Sequence, residues 1–105
     1  MITNYEQFCL LCGSPACDTH HCLKGVSKRH LAEEDNLTIP VCRRCHDEIH
    51  KGYKALNVAV EIIGQLYWER EYLINRQILP FDDSHDEISE EAREAFRSRY
   101  SRSYL

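Results

Sequence analysis

The stretch His20 to His50, HHCLKGVSKRHLAEEDNLTIPVCRRCHDEIH, decides how this 105-residue chain is read, because it carries five of the six histidines and three of the six cysteines. With the earlier Cys9-Leu10-Leu11-Cys12 it separates into a thiolate set, a histidine set and one asparagine, Asn36, between them. Cys9-x-x-Cys12-Gly13 and Cys42-x-x-Cys45 each put two thiols on a tight turn, with Gly13 relieving the backbone after the first pair. Two such pairs about thirty residues apart supply the four ligands of a tetrahedral structural zinc; redox or chance thiols are the alternative. Cys17 and Cys22 lack a paired turn, so Cys17 reads as a surface or packing residue and Cys22 as an apolar filler beside a strand.

Outward from the cysteines, Ala16 to Leu23 reads as a short extended segment and Asn36 to Val41 as a second strand, with Leu37, Ile39 and Val41 alternating and Pro40 marking an edge. Between them, Lys24 to Asp35 reads as a polar loop with one helical turn at His30 to Glu34. After the second cysteine pair, His46 and His50 fall one turn apart on a short helix that Gly52 ends. Adjacent residues on a strand point to opposite faces, so His20 and His21 are free to do separate jobs. Together the four histidines offer three neutral nitrogen ligands for a divalent ion and one free imidazole to act as a general base near neutral pH. The residues alone leave open which of His20 and His21 faces the ion.

A chain of this size buries a marginal core, which is why thiols that staple it matter. The thiolate and histidine half (1–55) is expected to form one zinc-stapled unit. Residues 56–105 form a helical extension, packed on that unit or serving as a homodimer surface. Tyr53 to Gln77 reads as an amphipathic helix, with Leu56, Val60, Ile63, Tyr67 and Ile74 inward and Glu61, Glu69 and Arg76 on the wet side. Leu79-Pro80-Phe81 breaks it, Asp82-Asp83-Ser84 is a solvated turn, and Glu87 to Tyr100 is a last helix with arginines toward its end. The aromatic residues Tyr67, Trp68 and Tyr72 read as core or interface.

The net charge of −4 does not advertise a nucleic-acid binder, but the acidity is uneven. Through residue 55, seven basic residues balance seven acidic ones, and the excess of acid lies in the second half. Because salt screens exposed charges beyond about 10 Å, a local basic surface suffices to hold a phosphate backbone. Lys24, Lys28, Arg29, Arg43 and Arg44 are the candidates, with a solvated turn as the equal alternative for Arg43 and Arg44. His30 and His85 read as solvent-exposed side chains. The N-terminus has no basic and apolar leader, and no stretch approaches a membrane span, so a reducing, cytoplasmic setting is expected.

The order Cys-x-x-Cys, His20-His21, Asn36, Cys-x-x-Cys-His46, His50 resembles the HNH endonucleases, specifically their zinc-knuckle branch common among phage and mobile-element proteins, over Cys9 to about Gly52. The resemblance implies a small α+β protein with a ββα-metal core stapled by zinc and followed by C-terminal helices. It implies that His20 is a metal ligand, His21 the general base and Asn36 the brace of the loop that orients His21. His46 and His50 complete the site of a catalytic Mg²⁺, Mn²⁺, Ni²⁺ or Zn²⁺. The implied activity is metal-dependent cleavage or nicking of DNA, double-stranded or structured, leaving 5′-phosphate and 3′-hydroxyl ends in a bacterial host cell. No groove-reading motif is present, so sequence-specific cutting is not expected. The alternative is a non-catalytic zinc-stabilised module that binds nucleic acid, or that inhibits or recruits a host protein through its acidic tail.

Overall fold

In the computed structural model, which describes residues 1–76 and 86–105, two short strands pair antiparallel. β1 (Asp18–His21) lies on β2 (Thr38–Val41) with Asp18 opposite Val41, His20 opposite Ile39 and Thr19 opposite Pro40. The carbonyls of Thr38 and Pro40 point away from β1 and accept the N–H groups of Ile2 at 3.0 Å and Leu10 at 2.9 Å. Pro40 therefore lacks its donor on the outer edge, where an N-terminal segment already runs, and the β1 ladder loses nothing.

Helix α1 (Val26–Glu34) occupies nine residues where a polar loop with one helical turn is expected. Its opening carries no side-chain cap, and among its described side chains Ala32 is the one that is buried, so its periodicity is faint. What terminates it is well defined. Asn36 adopts φ 60°, its N–H donates to the Glu33 carbonyl at 3.2 Å, and the Leu37 N–H donates to the Ala32 carbonyl at 2.8 Å. This is the Schellman arrangement, with buried Leu37 and Ala32 as its apolar contact and asparagine in the left-handed position.

Helix α2 (Arg43–His50) begins inside the second cysteine pair, three residues earlier than the sequence pattern suggests. Cys42 is its N-cap, its Sγ accepting the Cys45 N–H at 3.4 Å, and Gly52 closes it at φ 88°. Helix α3 (Lys54–Asn75) follows directly. Buried Asn57 donates its amide to the Ile49 carbonyl at 2.9 Å and the Tyr53 carbonyl at 3.0 Å, satisfying acceptors at the α2–α3 junction.

The inward face of α3 differs from the expected stripe. Val60 is buried as predicted, but so are Asn57, Gly64, Gln65 and Glu69, while Ile74 is exposed. Glu69 is thus not on the wet side: it accepts from Gln65 Nε2 at 2.7 Å and faces Arg93 Nε at 3.5 Å, in helix α4 (Asp86–Tyr100). The Gln65 side-chain oxygen in turn accepts the Tyr104 N–H. The reason is tertiary, since these polar groups receive the C-terminal segment instead of water. Ala92, Phe96 and Tyr100 present the apolar face of α4 to α3, where Trp68 meets Phe96 and Tyr100 edge-on. The expected chain break at Leu79-Pro80-Phe81, the turn Asp82-Asp83-Ser84 and His85 lie outside the described residues.

The result is a small α+β structure in which Leu37, Ile39 and Val41 of the β2 segment, Cys22, Leu23, Ile49, Val60 and Phe96 share one core. Gly64 lets α3 approach closely, because a Cβ there would sit 2.7 Å from Cys22 Cβ. No helix among the described residues is long and apolar enough to cross a membrane.

Asp35, the C-cap of α1, joins the two halves. Its carboxylate accepts from Trp68 Nε1 at 2.9 Å, Arg99 Nε at 2.6 Å and Tyr100 Oη at 2.5 Å. The Asp35 carboxylate holds the Arg99 guanidinium more firmly protonated, and burial, followed by the contact with Asp35, pushes the Tyr100 hydroxyl up. Asp35→Ala leaves three donors without their acceptor and is expected to cost about 3 kcal/mol in urea unfolding. Glu34→Ala, which removes exposed contacts to Arg99 and His30, is expected to stay within about 0.5 kcal/mol of the parent.

Candidate metal centres

The thiolate centre is built by two turns. The first closes with the Gly13 N–H on the Cys9 carbonyl at 2.8 Å, Gly13 standing at φ 81°. The second is the first turn of α2. Together they bring the sulfurs of Cys9, Cys12, Cys42 and Cys45 within 4.8 Å of one another, with Cys12 and Cys42 3.6 Å apart. The four thiols differ electrostatically. The Ser14 hydroxyl and N–H hold Cys12 down to about 6, whereas burial and then the neighbouring thiols push Cys45 up to about 12. Four thiolates packed together repel one another, and a divalent cation removes that repulsion. The cluster therefore fits a structural metal such as zinc, four soft donors from two tight turns being its preferred set.

Arg44 is exposed at the edge of this centre, its guanidinium held protonated by contact with Cys45 and then by Cys12. Cys22 stands apart, buried against Gly64, its thiol pushed up to about 12 by desolvation. Cys17 is exposed.

The histidine centre lies across β1 and α2. Cys45 and Ile49 of α2 face the core, and one residue further round the helix His46 and His50 face β1. Ligating nitrogens of His20, His46 and His50 lie within 4.8 Å of one another, the Nε2 atoms of His46 and His50 being 2.9 Å apart. Burial, followed by the nearby His46 and His50, lowers His20 to about 4, so it is neutral at pH 7 and keeps a lone pair to donate. The residues present fit a cation that accepts imidazole nitrogen.

His21 turns to α1, its Nε2 2.9 Å from Glu33 Oε1. Both His20 and His21 nevertheless line one open cleft of about 400 Å³ with His46, His50, Lys24 and Arg29. Lys28 and Arg43 stand outside that lining, and Arg43 is exposed with its guanidinium 3.6 Å from Asp18. His30 is exposed beside Glu34. Asn36 is not among the histidines: it lines a second cavity, of about 320 Å³, with Asp35 and Trp68. Its link to His21 passes through Glu33, whose carbonyl takes the Asn36 N–H and whose carboxylate takes the His21 ring.

Two side chains here have no place in the sequence reading. Asp18 Oδ2 lies 3.0 Å from His46 Nδ1, a hydrogen bond that holds the Asp18 carboxyl below its usual range. It was detectable in principle, since it sits two residues before His20 on one strand face. Glu33 carries no local signal, because the contact with His21 depends on how α1 folds back.

Comparison with known proteins gives one family. The sequence pattern of the family described as "Protein of unknown function (DUF968)" matches residues 4–62, more than half of the chain, and the chain belongs to that family. No curated protein and no solved structure matches.

The purified protein is expected to hold zinc at the thiolate cluster. Cys45→Ala should lose that zinc, read by elemental analysis, and lose cooperative thermal unfolding with it. Binding at such a site is worth on the order of 10 kcal/mol, comparable to the whole net stability of a small domain. His20→Ala should keep this zinc.

Proposed function

We propose, from membership of a family whose description names no activity and from the geometry of the cleft, that the chain is an HNH-type, metal-dependent nuclease that hydrolyses phosphodiester bonds in DNA. β1 and β2 would be the hairpin and α2 the helix of a ββα-metal core. The observation that carries the reading is the convergence of His20, His46 and His50 within 4.8 Å, in a cleft that His21, Lys24 and Arg29 also line.

His20, His46 and His50 would hold the divalent ion, which when bound supplies positive charge at the phosphate. An all-imidazole donor set favours Ni²⁺ or Zn²⁺ over Mg²⁺. His21 is the general base. Its Nε2 is engaged by Glu33, which leaves Nδ1 to take the proton from a water that attacks phosphorus as the bond to the 3′ oxygen breaks. Lys24 and Arg29 hold phosphate oxygens and position the backbone without reading its sequence. Asn36 supports this indirectly, by closing the end of α1 that presents Glu33.

Supercoiled plasmid incubated with the purified protein and Mg²⁺, Mn²⁺, Ni²⁺ or Zn²⁺ tests the reading. Nicking is expected, with His21→Ala slower by about a hundredfold or more while its zinc content is unchanged. Absence of cutting on plasmid, single-stranded and branched DNA with every ion would overturn the enzyme and favour a non-catalytic binding module.

A further inference from the structure

We infer that Asp18 is a positioning residue for the histidine centre: its carboxylate fixes the His46 ring with the hydrogen on Nδ1, and so keeps the Nε2 lone pair directed at a divalent cation. The inference rests on the reading of His20, His46 and His50 as a metal centre.

The register of β1 puts Asp18 and His20 two residues apart, hence on one face, opposite Val41 and Ile39. That face is the one α2 packs over. Asp18 Oδ2 and His46 Nδ1 are 3.0 Å apart, and both side chains are 19% exposed, so water competes weakly for the bond. An ionised carboxylate can only accept, which places the hydrogen on Nδ1 and leaves Nε2 bare. His46 Nε2 is also the atom 2.9 Å from His50 Nε2, so the ring is held from behind and aimed at the shared centre.

Asp18 is not itself in the ligand set. Its contact is with the far nitrogen of the ring, and the cluster of mutually close ligand atoms comprises the three histidines without it. Its other partner, Arg43, is 71% exposed and 3.6 Å away, a screened contact of little energetic weight. Among the described residues, neither His20 nor His50 has a carboxylate on its ring. Asp18 thus orients the one ligand it touches and ties α2 to β1 at the same point. Carboxylates behind metal-bound imidazoles act in this way generally, and their loss weakens metal binding by about 10 to 100-fold.

The test is calorimetric titration of Ni²⁺ into protein whose thiolate cluster is already loaded with zinc. Wild type is expected to bind one further ion, lost in His20→Ala. Asp18→Asn and Asp18→Ala are expected to bind it about 10 to 100-fold more weakly, and Asp18→Glu to recover part of the loss. Imidazole ¹⁵N shifts of His46 should report the Nδ1–H tautomer in wild type and a mixture in Asp18→Ala. Retention of the first zinc shows that the variants fold. Should Asp18→Ala lose it, Asp18→Asn, which preserves the side-chain shape, carries the test. If wild type binds Ni²⁺ at the His20-dependent site and Asp18→Asn and Asp18→Ala bind it equally well, the role of Asp18 is overturned and the metal centre stands. If wild type shows no His20-dependent site, the metal reading itself fails, and the inference with it.

Discussion

Cys42 is the point on which the rest of the structure depends. It follows Val41, the last residue of β2, and caps α2 through its own sulfur, while that sulfur also stands in the cluster with Cys9, Cys12 and Cys45. A strand end, a helix start and a remote loop are thereby tied at one place. The direction in which α2 leaves the sheet is then set within its first turn, and His46 and His50 are carried toward β1. In a chain this short the apolar core alone gives little orientation, so a thiolate centre that fixes three segments has a disproportionate effect.

The histidine cleft takes its other supports from hydrogen bonds to neighbouring elements. Asp18 holds His46 from β1, and Glu33 holds His21 from α1. α1 is itself held at its C-terminus by the left-handed Asn36 and by Asp35, which receives Trp68 from α3 and Arg99 and Tyr100 from α4. The helical extension therefore does more than cover apolar surface: its aromatic and arginine side chains fix the end of the helix that forms one wall of the cleft. Asn57 does the same for the end of α2.

The same arrangement bears on the charge. Three acidic side chains are engaged within the fold, Asp35 with Arg99, Glu69 with Gln65 and Arg93, and Asp18 with His46. Lys24 and Arg29 stand at the cleft. A net charge of −4 therefore says little about the potential that a ligand approaching the histidines would meet.

The sequence by itself determined those features that rest on local spacing: two Cys-x-x-Cys turns with glycine after the first, a β2 strand with alternating apolar residues and an edge proline, and His46 and His50 one turn apart. Each depends on backbone geometry within a few residues, and each is legible without knowing the fold. Which side chains act on one another across the chain was decided only in three dimensions. α1 is a helix because Leu37 and Ala32 close it and Asp35 anchors it, not because of its own weak periodicity. Glu69 is buried because Gln65 and the C-terminal segment meet it there. Asp18 and Glu33 hold the histidines, and Asn36 stands behind α1 rather than beside His21. Apart from the local pairs Ala32 with Leu37 and Gln65 with Glu69, these contacts join residues a dozen to more than sixty positions apart, and no local pattern encodes a hydrogen bond whose partner is chosen by packing.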